Sequence, residues 1–124
     1  MTVTDMVANA RQAHAAVEHW TQAQADDLVA AVGWASYQEG HAEACARLAC
    51  DETGMGNYEH KLLKHRKKTL GTLRDLHGVK SVGCIEEDPA RGLLKFAKPV
   101  GVVGALTPVT NPSSTLCCNA LAIL

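Results

Sequence analysis

The strongest candidate for a ligand-binding segment is a turn that carries two hydroxyl groups and one side-chain amide. Its residues are Thr107, Pro108, Val109, Thr110, Asn111 and Pro112. The unbroken apolar run before it, Val100–Leu106, predicts a strand buried on both faces. Asn111 followed by Pro112 predicts the start of a helix. Such a turn at a helix N-terminus can bind an anion or a ribose, although a turn that only caps the helix is the alternative. Both glycines of the run precede the turn, so the glycine-rich dinucleotide fingerprint is absent.

The thiols are weaker candidates for chemistry. The five cysteines follow no repeating spacing, which indicates reduced thiols rather than a disulfide framework. Cys117 and Cys118 lie one turn into the predicted apolar helix, and no histidine or lysine lies within several residues of them. Burial raises the pKa of a thiol, so we predict that both behave as small hydrophobic side chains rather than as nucleophiles.

The histidines do not form a recognisable metal-binding pattern. His41 and Cys45 are four residues apart and can share a helical face, with Cys50 close by. A structural zinc site uses four ligands, usually in close pairs, and those pairs are missing. His60 and His65 are five residues apart and do not share a face. The sequence therefore predicts no metal site.

Charge is distributed very unevenly along the chain. Residues 1–60 carry nine acidic and two basic groups, whereas residues 61–80 carry seven basic groups and one acidic group. The segment Lys61–Lys68 is a basic helix accompanied by a single aromatic residue, Tyr58, which argues against base stacking on nucleic acid. We expect a solvated face that pairs with the acidic first half. The alternative is a small helical interaction module that binds an acidic partner through residues 61–80.

Helical periodicity fills residues 1–78, and the pattern changes after Gly78, where Glu86–Pro89 reads as a polar turn. Thr21–Gln24 has the form of a capping box that starts a helix, the glycines of Asp51–Gly56 predict a helix end, and Asn57 can cap the next helix. In the last of these helices, Tyr58, Leu62, Leu70, Leu73 and Leu76 are the predicted apolar stripe. Residues 79–124 read as the start of an α/β domain, with one strand near 92–98 and the buried strand at 100–106. A buried parallel strand needs parallel neighbours, so we expect the front part of a larger α/β protein. The charge-free end is broken by prolines, and no secretory signal is present, so we predict a cytoplasmic location without a membrane span.

Three segments together resemble a known family. They are Asp51–Gly56 (DETGMG), Ile85–Pro89 (IEEDP) and Lys98–Thr115, in that order. The chain resembles the amino-terminal part of the CoA-acylating aldehyde dehydrogenases, in particular the acetaldehyde and sulfoacetaldehyde type and the aldehyde half of the bifunctional aldehyde–alcohol dehydrogenases.

The resemblance implies N-terminal helices followed by the first strands and βα unit of an NAD-binding domain. It implies an oxidoreductase, a homo-oligomer, that uses NAD and CoA to convert an aldehyde to an acyl-CoA without contacting nucleic acid or membrane. The turn at residues 107–112 would line the cofactor, and Asn111 would donate to the oxyanion of the tetrahedral intermediate. Ordinary aldehyde dehydrogenases have asparagine followed by an aromatic residue where this chain has Thr110-Asn111. The family's nucleophilic cysteine would lie beyond Leu124, so the chain alone is expected to be inactive and to bind no cofactor tightly.

Overall fold

The structure, a computed structural model, describes all 124 residues as five helices and one two-stranded sheet. The helices are α1 (Val3–Val17), α2 (Gln22–Tyr37), α3 (His41–Thr53), α4 (Tyr58–Leu76) and α5 (Pro112–Ile123). The strands are β1 (Cys84–Asp88) and β2 (Leu93–Phe96). No helix combines the length and the apolar character that a membrane crossing requires.

The chain forms two compact units. One consists of Met1–Asp26 and Val79–Gly104, and the other consists of Asp27–Gly78 and Ala105–Leu124. These units do not follow a boundary at residues 78 and 79. The sequence analysis divides the chain into a helical segment, 1–78, and the start of an NAD-binding domain, 79–124. That division refers to the domains of a longer protein, and it stays a prediction.

Local capping chemistry sets the ends of the helices as the sequence predicts. The Thr21 N–H bonds Gln24 Oε1 at 3.0 Å, and the Gln24 N–H bonds Thr21 Oγ1 at 3.4 Å, which forms the capping box that starts α2. Gly54 ends α3 at φ 62°, a left-handed conformation that glycine adopts without strain. Asn57 starts α4 because its Oδ1 accepts the His60 N–H at 2.9 Å.

The buried face of α4 differs from the predicted leucine stripe. Its buried side chains are Lys61, His65 and Thr69, which are spaced four residues apart, whereas Leu70 is 47% exposed. The buried hydroxyl of Thr69 is accommodated by the hydrogen bond from its Oγ1 to the His65 carbonyl at 2.9 Å. The core around the three side chains is made of small residues, notably Ala42, Ala46 and Ala49 on α3. Small neighbours leave the room that these longer side chains fill.

The strand prediction is correct for one segment only. β2 (Leu93–Phe96) pairs antiparallel with β1, and every residue of β2 is exposed. Glu86, Glu87 and Asp88, which the sequence predicts as part of a turn, belong to β1 instead.

The predicted buried strand at Val100–Leu106 is wrong. That segment forms no strand, and Val100 is 89% and Leu106 is 96% exposed. A strand exists only where a neighbour accepts and donates its backbone hydrogen bonds, and no parallel neighbour is present among these residues.

Candidate functional site

Asn111 is fixed by the first turn of α5. It occupies the N-cap position, and Pro112 follows at the first helical position, as predicted. Its side chain does not cap the backbone. Its Oδ1 accepts the Ser114 hydroxyl, and its Nδ2 donates to Thr115 Oγ1 at 3.1 Å. An amide nitrogen has two donors, so one N–H of Asn111 stays free.

The rest of the predicted loop is exposed. The Asn111 N–H closes a turn onto the Pro108 carbonyl at 3.3 Å, while Thr107, Val109 and Thr110 face solvent. Two prolines limit the backbone freedom of this loop, because each fixes its own φ. The loop therefore presents its hydroxyl and amide donors on a stiff frame.

Thr110 lines a groove of about 270 Å³ together with the beginning of α4. The other lining residues are the Met55–Asn57 turn, His60, Lys61 and Lys64. The structure thus brings one residue of the predicted loop next to two lysines of the predicted basic helix, Lys61 and Lys64. We name this feature the Thr110 groove.

Lys61 is the residue whose importance the sequence analysis missed. It is only 8% exposed, although Lys64, Lys67 and Lys68 on the same helix are exposed. The sequence feature that could have predicted this burial is the spacing of Lys61 and His65. The two residues are four positions apart and therefore share the buried face of α4.

The expected pairing of the basic helix with the acidic first half occurs at a single place. Arg66 forms an ion pair with Glu43 of α3, and it also lies over the ring of Tyr37 at 6.0 Å. None of the four lysines between residues 61 and 68 takes part in an ion pair. The lysine charges of α4 are therefore available to a ligand.

The environment of Cys117 contradicts the reasoning from sequence. Burial tends to raise the pKa of this thiol, but hydrogen bonding to His65 and Ser36 lowers it below the ordinary value. The contact with Cys117 in turn raises the pKa of His65. His65 is fully buried, and its Nε2 donates to the Ser36 carbonyl at 2.8 Å. Its Nδ1 is buried without a well-aligned partner.

Two further thiols, Cys45 and Cys118, lie on α3 and α5. Cys118 Sγ accepts a hydrogen bond from Thr72 Oγ1 at 3.2 Å. Burial, with a smaller contribution from Cys117, raises the pKa of Cys45. All five cysteines are free thiols. The lowered pKa of Cys117 thus contrasts with the raised pKa of Cys45.

We expect Cys117 to react with iodoacetamide at a lower pH than an ordinary thiol does, because the thiolate is the reacting form and His65 stabilises it. His65→Gln removes the imidazole and should move the midpoint of this reaction to higher pH. Mass spectrometry of digested protein, alkylated across a pH series, measures the midpoint for each cysteine. Cys118 is the internal control. A Cys117 midpoint that equals that of Cys118, or one that His65→Gln leaves in place, would contradict this description.

Comparison with known proteins finds relatives among the acylating aldehyde dehydrogenases. No protein-family model matches the chain. The sulfoacetaldehyde dehydrogenase of Acholeplasma sp is 48% identical over 122 residues, which are 98% of this chain and 25% of that protein. The acylating sulfoacetaldehyde dehydrogenase of Bilophila wadsworthia is 44% identical over 123 residues, which are 99% of this chain and 26% of that protein.

A solved structure shares the fold. The crystal structure of an acetylating aldehyde dehydrogenase from Geobacillus thermoglucosidasius superposes with a TM-score of 0.93 at 34% identity, over 98% of this chain and 26% of that chain. The chain spans about a quarter of the length of the curated relatives it matches. The predicted fold class, helices followed by the first strands of such an enzyme, is confirmed at this level.

Proposed function

Because this chain belongs, in sequence and in fold, with the N-terminal part of the acylating aldehyde dehydrogenases, we propose that it works within an oxidoreductase that converts an aldehyde to an acyl-CoA with NAD. The observation that carries the proposal is the match over essentially the whole chain at 48% identity. The Acholeplasma and Bilophila relatives are sulfoacetaldehyde dehydrogenases by name, and we propose a small aldehyde as the substrate here. We also propose a cytoplasmic homo-oligomer.

Asn111 is the residue that we assign to the reaction. Its free amide N–H is a neutral donor on a side chain that Ser114 and Thr115 already hold in place. A donor that is positioned before the reaction stabilises the negative charge that develops on the acyl oxygen, and it does so without reorganisation. We therefore assign Asn111 the role of oxyanion donor.

The loop at residues 107–112 suits a phosphate-bearing cofactor. It carries no acidic residue that would repel a phosphate group. Thr107, Pro108, Val109, Thr110, Asn111 and Pro112 are the residues that would line NAD. When bound, NAD supplies the acceptor for the hydride that leaves the aldehyde carbon. The residues of this chain contribute binding and orientation, and Asn111 contributes charge stabilisation.

A hybrid enzyme tests the proposal. Residues 1–124 replace the matching N-terminal quarter of the Bilophila wadsworthia enzyme, to which they are 44% identical. We expect this hybrid to form NADH from NAD, CoA and sulfoacetaldehyde. The Bilophila enzyme without that quarter, and the 124-residue chain alone, are the two negative controls. A folded hybrid that is no more active than these controls would refute the proposal.

A further inference from the structure

Lys61 is a buried cation without a partner anion. Its Nζ makes a single hydrogen bond, to Thr53 Oγ1 at 3.4 Å, and no carboxylate lies within ion-pair distance. Thr53 Oγ1 already donates to the Ala49 carbonyl and accepts the Met55 N–H at 3.2 Å. Lys61 thus makes one long hydrogen bond to a neutral oxygen, and two of its three ammonium N–H donors have no partner.

Such an arrangement costs free energy unless something else compensates the charge. Lysine is almost never this deeply buried without a partner, because an ammonium that leaves water loses its hydration. No acidic residue of the protein lines the Thr110 groove. An anion bound in that groove would therefore supply the negative charge that Lys61 lacks. The other groove on α4, lined by His60, Leu63, Lys64, Lys67 and Lys68, does not contain a buried charge.

His60 adds an oriented donor to the same groove. Asn57 Oδ1 accepts the His60 backbone N–H, so the amide nitrogen of Asn57 is the atom that faces His60 Nδ1, at 3.1 Å. Nδ1 of the neutral ring then accepts this hydrogen bond, and the ring proton lies on Nε2. His60, Lys64 and Thr110 line the same groove as Lys61.

We infer that the Thr110 groove binds an oxyanion of the sulfonate or phosphate class, with Lys61 as its principal contact and His60, Lys64 and Thr110 as further donors. Several converging donors suit a group that has three oxygens to share. The groove volume also leaves room for an organic substituent. This inference deepens the proposed function, because Thr110 precedes the assigned oxyanion donor Asn111. Only the identity of the ligand rests on the proposed enzyme activity. The anion site itself is inferred from the residues that line the groove.

Direct binding to the 124-residue chain tests the inference. Backbone amide signals of His60, Lys61 and Thr110 are followed by NMR during titration with ethanesulfonate, inorganic phosphate or CoA, at constant ionic strength set with potassium chloride. We expect saturable shifts at these three residues. Tighter binding of ethanesulfonate than of phosphate or CoA would assign the groove to a sulfonate, and tighter binding of CoA would assign it to a phosphate of that molecule.

Substitutions on α4 distinguish specific anion binding in the Thr110 groove from non-specific attraction of anions to the lysines of this helix. Lys61→Gln should weaken binding at least about tenfold, because it removes a charged donor from a buried position. Lys68→Gln removes the same charge from the same helix outside the groove, so binding should change less than about twofold. Lys64→Gln, at an exposed position in the groove, should weaken anion binding by an amount between these two. If the Lys61→Gln protein fails to fold, the Lys64→Gln protein still tests the site.

Two results would overturn the site. One is the lack of saturable shifts with all three ligands. The other is an equal loss of binding in the Lys64→Gln and Lys68→Gln proteins. Neither depends on catalysis, so an inactive hybrid enzyme with intact anion binding refutes the proposed function and leaves the site standing.

Discussion

Asn111→Ala in the hybrid enzyme is expected to lower kcat by about 100- to 1000-fold, which is the usual cost of losing one oxyanion donor. The affinity for NAD should stay nearly unchanged, because the amide contacts the reacting acyl oxygen rather than the cofactor. Steady-state kinetics gives kcat, and fluorescence titration with NAD gives Kd.

Two control variants separate chemistry from structure at this position. Asn111→Asp keeps an oxygen for the Ser114 hydroxyl but has no N–H to donate, so it should lose as much turnover as the alanine variant. Thr110→Ala should have a smaller effect on kcat. If Asn111→Ala keeps full turnover and Thr110→Ala loses it, the oxyanion role belongs to Thr110. If both variants keep full turnover, the loop is structural only.

Leu121→Ala is expected to lower the free energy of unfolding by about 2–5 kcal/mol, the cost of deleting a buried leucine side chain and leaving a cavity. Leu121 is 2% exposed on α5, the helix that packs against α3 and α4. Large buried hydrophobic side chains are scarce in this chain, since the other core positions are alanines. Urea unfolding, followed by tryptophan fluorescence and circular dichroism, measures the change.

Leu116→Ala is the matched control, because Leu116 lies on the same helix and is 62% exposed. The change should be within about 0.5 kcal/mol. Equal losses in the two variants would show that α5 is not packed in the way described.

The parts of the fold that are determined locally are those that the sequence predicts well. The Thr21–Gln24 capping box, the glycine at the end of α3 and the Asn111-Pro112 start of α5 all occur at the expected residues. Each depends on side chains within a few residues of the backbone groups that they satisfy.

Elements that depend on distant partners are predicted poorly. The apolar run at Val100–Leu106 has the composition of a central strand, but strand formation needs a neighbour to complete its hydrogen bonds. No sequence pattern within the run reveals whether that neighbour is present.

The candidate site shows the same limit. His65 lies 52 positions before Cys117, so a search for activating groups near the thiol in sequence does not find the imidazole that lowers its pKa. Thr110 and Lys61 likewise meet only through the packing of α5 on α4. The predicted loop and the basic helix were each recognised, while their proximity was not.

The measurement that tests the central claim most directly is the amount of acyl-CoA formed per NADH by the hybrid enzyme. We predict one thioester for each NADH, and almost no NADH when CoA is omitted. Formation of NADH with release of the free acid and no dependence on CoA, by a hybrid that is folded, would contradict the assignment of this chain to an acylating aldehyde dehydrogenase.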